Sequence, residues 1–337
     1  MPKHIIISRT DNMGDVILTL PMAAMIKQQW SDCKVSFLAR NYVKDVVERC
    51  MDVDQFISYD TLCALPKKEA VSQLAAYQAD VIIHAFPNRL LATLARAAKI
   101  PMRIGTSHRW YHWFTCNQRV NFTRKNSTLH EAQLNLQLFA PLGLPIIAER
   151  DVLRQSIHLR KQDTVPGKIE KLLDPKRFNL IVHALTNGNT KEWPIENFIV
   201  LIKLLPSEKY HIILTGTEKE RARLQPIVMQ CPQITNAIAQ FSLTEFTDLV
   251  SHVDGLLANS TGPLHLAAAF GIHALGLFPA DKGKDPSRWE PLGARAQYLV
   301  AERCVACTQA THEVCICMQT ITVAQVAVII QQWDKTS

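Results

Sequence analysis

Short apolar runs recur along the chain, each followed by a small or polar turn and then by a stretch with helical periodicity. His4-Ile5-Ile6-Ile7-Ser8 is the first of these runs and reads as a strand buried on both faces. A helix is predicted over 16–30, and further strands at Lys34–Ala39, Gln55–Ser58 and Asp80–His84, with helical patterns between them. Strand and helix in strict alternation call for a parallel sheet with helices on both faces.

The rhythm weakens after Pro141-Leu142-Gly143-Leu144-Pro145, and residues 146–176 are charged and close on Asp174-Pro175. It then restarts. Strands are predicted at Phe178–Ala184, Tyr210–Gly216, Asp254–Asn259 and Ala274–Phe278. Helices are predicted after Trp193-Pro194, over Lys219–Met229, from Gly262 and over Thr322–Trp333. A chain of 337 residues has room for two cores. The expected organisation is an N-terminal domain over 1–160, a C-terminal domain over 176–320 and a terminal helix over 321–337 that could cross back to the first domain. Two doubly wound α/β units would face a cleft, and ligands in such sheets bind at the carboxyl ends of the strands.

Composition narrows the function classes. With 47% apolar and 20% charged residues the chain is neither disordered nor a coiled coil. No apolar run reaches the ~18–20 residues of a membrane helix. Ile5-Ile6-Ile7 is too short for a signal-peptide core, so the expectation is a soluble cytoplasmic protein. Nine cysteines, an odd number, argue against a disulfide framework. Four of them cluster as Cys304-x2-Cys307-x7-Cys315-x-Cys317. Four close thiols could hold a structural zinc, but one residue between the last pair departs from the usual two to four, which favours packed or reducible thiols.

The net charge of +7 is unevenly placed. From Val81 to His130 there is no acid, but there are Arg89, Arg96, Lys99, Arg103, Arg109, Arg119, Arg124 and Lys125, which leaves the remainder near neutral. The same stretch holds Arg109-Trp110-Tyr111-His112-Trp113-Phe114. Aromatics among cations suit an anionic sugar or phosphate ligand, an anionic membrane surface or single-stranded nucleic acid; the bland alternative is a solvated face.

Four turns after strands could carry chemistry. In Arg9-Thr10-Asp11-Asn12-Met13-Gly14-Asp15, Gly14 permits a tight turn and Asp15 opens a helix, where it could be either an N-cap or a carboxylate facing the cleft. Thr186-Asn187-Gly188-Asn189-Thr190-Lys191 offers hydroxyls and a lysine before Trp193-Pro194, suited to phosphate or simply solvated. In Asn259-Ser260-Thr261-Gly262-Pro263-Leu264-His265, small residues open a helix whose free N–H groups and dipole favour an anion. Glu218, after Thr215-Gly216-Thr217, is placed to accept from a ribose or to act as a first-turn helix acid. No Gly-x-Gly-x-x-Gly follows the first strand, which counts against a dehydrogenase. Asp52-Val53-Asp54 reads as a turn rather than a metal pair.

Taken together, the segments Met13-Gly14-Asp15-Val16 with Thr19-Leu20-Pro21, Lys191-Glu192-Trp193-Pro194, Asn259 to Ala269, and Asp285-Pro286-Ser287-Arg288-Trp289 with Gly293 resemble the ADP-heptose:lipopolysaccharide heptosyltransferases. These are inverting, metal-independent glycosyltransferases of GT-B fold. The resemblance runs along nearly the whole chain. It implies Asp15 as general base and Lys191, Thr261 and Gly262 as ligands of the donor diphosphate, with His265 close by. It implies Thr186 and Glu218 as further donor contacts, Glu218 on the ribose. Ser260 stands where several relatives carry an aspartate, a departure that bears on the donor sugar. The implied substrate is ADP-heptose, with no cofactor and no metal. The implied acceptor is an anionic lipopolysaccharide precursor on the inner leaflet, with Arg89, Arg103 and Arg109 on the acceptor side and Trp110 and Trp113 at the bilayer interface. Rival readings are a transferase using another nucleotide sugar for O-antigen or capsule, a sugar-nucleotide epimerase, and a nucleic-acid-binding protein. The near-neutral remainder and the phosphate-suited turns argue against nucleic acid. Oligomeric state is not readable.

Overall fold

The computed structural model describes residues 1–125, 127–186, 188, 190–303 and 316–335. The chain divides into two units, Met1–Arg160 and Lys161–Ser337. The first holds β1 (His4–Ser8), β2 (Lys34–Ala39), β3 (Gln55–Ser58), β4 (Val81–His84), β5 (Met102–Thr106) and β6 (Gln118–Val120) in one parallel sheet ordered β3-β2-β1-β4-β5-β6. β1 lies at the centre because every one of its residues is buried, with Ile5 paired to Val35 on one side and Val81 on the other. Ile6, Leu38, Ile57 and Ile82 form one apolar layer with Leu74, Leu91 and Leu94 of the covering helices.

The second unit repeats this plan. It holds β7 (Phe178–His183), β8 (Tyr210–Leu214), β9 (Thr235–Asn236), β10 (Gly255–Asn259), β11 (His273–Phe278) and β12 (Ala296–Val300), again all parallel and ordered β12-β11-β10-β7-β8-β9. In each sheet the first strand of the unit therefore sits beside the fourth, the Rossmann arrangement, and the order reverses between those two strands. That places the expected ligand crevices after β1 and β4 in one unit and after β7 and β10 in the other.

Several local expectations need correction. The helix expected over 16–30 is two helices, Met13–Ile17 and Pro21–Gln29, since Pro21 has no N–H to continue the first and starts the second at its N1 position. Gly14 lies within the first of these helices rather than in a tight turn. Strands β5, β6, β9 and β12 were not expected: they are edge or near-edge strands, short or largely exposed, and lack an apolar run. Residues 158–160 belong with the first unit because Met51 donates to the His158 carbonyl and Arg160 to that of Arg49. The terminal helix, Val323–Gln331, packs within the second unit: Val326, Ala327, Ile330 and Trp333 join its core, and the Tyr210 hydroxyl donates to the Ile330 carbonyl at 3.2 Å. Its buried apolar face is thus part of the core of the second unit. Gly255 admits the Trp333 ring so closely that a Cβ would stand 2.9 Å from it.

Candidate active site

The turn after β1 brings Asp15 into a buried ionic cluster. The N-cap of Met13–Ile17 is Asn12, and the Asp15 side chain, in the first turn, caps nothing; it pairs with Arg9. The helix-cap reading of Asp15 is thereby corrected. Arg9, only 2% exposed, spends its whole guanidinium inside the unit. It grips Asp11 in a two-pronged fork at 2.7 and 2.9 Å, reaches Asp15, and donates to Glu131 at 2.9 Å and Asn135 at 3.1 Å. Arg124 approaches the same Glu131 oxygen at 2.8 Å and the same Asn135 oxygen at 2.8 Å, and also bonds the Ala85 carbonyl at the end of β4. The Asn135 amide donates to Thr19 and to the Leu18 carbonyl, so the helix Glu131–Leu136 is tied to the chain just after Asp15. Tyr42 closes another side, its hydroxyl donating to the Asp11 carbonyl at 2.8 Å.

Three carboxylates, Asp11, Asp15 and Glu131, thus share the one Arg9 guanidinium, with Arg124 also on Glu131. Asp15 shows the result. Burial raises its pKa, Arg9 lowers it, and Asp11 and Glu131 raise it again, leaving it at about 6. A carboxyl poised there is ionised at neutral pH yet basic enough to accept a proton in a transition state. Burial and the neighbouring Asp11 and Asp15 push the Tyr42 phenol up to about 12, so it stays a donor.

In the second unit the expected donor residues lie in turns that follow three adjacent strands. Thr186 follows β7, Ser260, Thr261 and Gly262 follow β10, and Glu218 follows β8. Asn259, fully buried and left without a role by the sequence reading, fastens two of these turns together: its amide donates to the Ala184 carbonyl at 2.6 Å and its oxygen accepts from the Trp193 backbone at 2.9 Å. Trp193 in turn anchors its indole N–H on the Ile321 carbonyl and packs against Phe198. This holds the Lys191-containing segment beside the β10 turn. Lys191 is largely buried and pairs with Asp281 at 2.9 Å, a partner the sequence reading missed. The Thr186 hydroxyl and backbone N–H both donate to Glu192, which also pairs with Arg223.

Thr261 is the N-cap residue of Gly262–Ala269, but its side chain caps nothing, and its buried hydroxyl oxygen has no hydrogen-bond partner among the described residues. Pro263 in the first turn has no N–H of its own. An unpaired hydroxyl and a helix start together fit an anion. His265 is buried one turn further along. Glu218 is exposed and held by Arg221 at 2.7 Å, and the hydrogen bonds from that guanidinium keep its carboxyl below the ordinary range; Glu220, not Glu218, forms the capping box with Thr217.

The basic stretch divides in two. Arg103 is spent internally, donating to the carbonyls of Ile100, Pro101 and Thr115, so its side chain is a brace between β5 and the following helix rather than a free cation. Arg89 and Arg109 are exposed. Trp110, Trp113 and Phe114 are 62%, 58% and 67% exposed, with Arg89 lying 4.9 Å from the Trp110 ring centre and Arg119 4.7 Å from that of Trp113. Cys304, Cys307 and Cys315 lie outside the described residues, and Cys317 is buried. Among the described residues no group of three His, Cys, Asp or Glu is placed to hold a metal ion, and no helix is long and apolar enough to cross a membrane.

The profile of Glycosyltransferase family 9 (heptosyltransferase) matches residues 69–317. The chain belongs to that family. Lipopolysaccharide heptosyltransferase 3 of Escherichia coli is 21% identical over 295 residues, covering 82% of this chain and 83% of that one. A family 9 glycosyltransferase of Veillonella parvula has the same fold, with a TM-score of 0.80 at 18% identity over 98% of this chain and 96% of that one. E. coli heptosyltransferase WaaC, solved with ADP, gives 0.73 at 18% identity over 98% and 99%. The family 9 chain is thus a glycosyltransferase of GT-B fold, built from two Rossmann-like units.

Proposed function

We propose that this glycosyltransferase moves heptose from ADP-heptose to an inner-core sugar of lipopolysaccharide, with inversion and without a metal ion. The observation that carries the reading is Asp15, a largely buried carboxylate in the first helical turn after β1, poised near pH 6 and held by Arg9. In this reading Asp15 takes the proton of the acceptor hydroxyl as its oxygen attacks the anomeric carbon. The bond from that carbon to the diphosphate oxygen breaks, and ADP leaves with the electron pair. Lys191 and the helix start at Thr261–Gly262 stabilise the charge that develops on the diphosphate. Lys191 must exchange Asp281 for phosphate to do so, and the buried Thr261 hydroxyl gains its missing partner. Thr186, Ser260 and His265 complete the donor site, with Glu218 on the ribose after leaving Arg221.

On the acceptor side the reading assigns Arg89 and Arg109 to the carboxylates and phosphates of the core. Trp110 and Trp113, amphipathic rings backed by arginines, go to the headgroup level of an anionic inner leaflet, which makes the enzyme peripheral to the cytoplasmic face of that membrane. The test is to incubate the purified protein with a panel of nucleotide sugars and truncated core acceptors, with and without EDTA, and weigh the products. Heptose addition that survives chelation is expected, together with loss of turnover but not of ADP binding in Asp15→Ala. Transfer of a different sugar, or epimerised donor with no acceptor product, overturns the reading.

A further inference from the structure

Glu131 is fully buried, and it stands 122 residues from its partner Arg9. The proposed chemistry gives it no role, and as a first-turn acid of the helix Glu131–Leu136 it needs no buried cation. Yet one of its oxygens holds two arginines, Arg9 at 2.9 Å and Arg124 at 2.8 Å. Burying such an arrangement is costly unless it is closely paired, and it is a poor way to gain stability alone.

We propose that Glu131 is a positioning residue for Asp15: by drawing on Arg9 from the far side, it divides that guanidinium among three carboxylates and keeps Asp15 incompletely neutralised, hence basic and correctly turned. The inference rests on Asp15 being the base. Were Arg9 given to Asp15 and Asp11 alone, Asp15 would sit in a tight ion pair and be a weak proton acceptor. Arg124 acts in the opposite sense, since each bond it makes to Glu131 lessens the hold of Glu131 on Arg9. The charged and titratable groups around Asp15 are Arg9 and Asp11 from its own turn, Glu131 and Arg124 from the 124–136 segment, and Tyr42 with the nearby Arg40.

The structure therefore predicts shifts of opposite sign. The acid limb of kcat/KM against pH reports the base in the free enzyme. In Glu131→Gln the limb should move down by about one pH unit, since a nearby negative charge is gone and Arg9 is released toward Asp15. kcat at the plateau should fall several-fold while ADP affinity is unchanged. In Arg124→Gln the limb should move up, since a cation is lost and Glu131 draws more fully on Arg9. Both are measured with ADP-heptose and an acceptor that supports turnover. A purely structural role would lower the active fraction without moving either limb. Should Glu131→Gln fail to fold, Arg124→Gln, whose side chain is partly exposed, decides alone. Unmoved limbs in folded variants, or shifts in the same direction, overturn the proposal. Asp15→Asn separates the two readings: if it retains turnover and its acid limb, the base assignment fails; if it is inactive while the other limbs stay put, only the role of Glu131 fails.

Discussion

Replacing Asp15 by asparagine should make the protein more stable at pH 8 while ending its turnover. The native carboxyl has an ordinary value of 3.8 and stands at about 6 in the fold. A carboxyl raised in this way stabilises the folded state while it holds its proton; that contribution is whole below pH ~4 and is lost as the pH rises through about 6. The interval corresponds to about 3 kcal/mol. Asparagine, a neutral near-isostere, does not ionise and does not suffer this loss. The variant and the native protein should therefore differ little at pH 4 and most above pH 7. For a unit of this size each kcal/mol shifts Tm by about 2–4 °C, so the variant should melt several degrees higher at pH 8. Calorimetry of both proteins at pH 4, 6 and 8 is the assay. A gain that is the same at all three pH values, or a native protein that is the more stable at pH 8, would refute the argument that burial and the flanking carboxylates oppose the charge on Asp15.

Lys191→Ala should weaken ADP binding by about ten- to a hundredfold, the range of a charge-assisted bond, and titration calorimetry reads it directly. Asn259→Ala should lower stability by about 3 kcal/mol, because it orphans the Ala184 carbonyl and the Trp193 N–H at once; chemical denaturation checks this, and an effect near zero would mean that water replaces the amide. Trp110→Ala with Trp113→Ala should reduce binding to anionic vesicles and lower Tm only slightly, since both rings are more than half exposed and Trp113 gives up one hydrogen bond, to the Ser107 carbonyl. Arg103→Ala should do the reverse, lowering Tm without changing vesicle binding, because its donors serve three carbonyls of its own unit.

What could be read from the sequence follows a physical line. Strands buried on both faces, such as Ile5-Ile6-Ile7 and Leu256-Leu257-Ala258, are continuous apolar runs and are legible. The edge strand β6 is not: it is Gln118-Arg119-Val120, and nothing in it distinguishes a strand from a loop. Asp15 and Lys191 could be singled out because each sits in a short motif beside a strand end. Their partners could not. Glu131 lies 122 residues from Arg9, beyond the last strand of the first sheet, and Asp281 lies 90 residues from Lys191. Arg103 is a second case. Composition shows a cation in an acid-free stretch, and only the fold shows that the guanidinium turns inward onto carbonyls.

The long separation between Arg9 and Glu131 also has a consequence during synthesis. At ~5–20 residues per second a ribosome needs roughly 6–24 s to pass from one to the other. Of the three carboxylates that Arg9 contacts in the fold, only Asp11 and Asp15, both within six positions of it, are present throughout that interval. The nascent segment thus carries its own provisional counter-ions, and the Asp15 carboxylate acquires its final setting only when the helix Glu131–Leu136 emerges and docks.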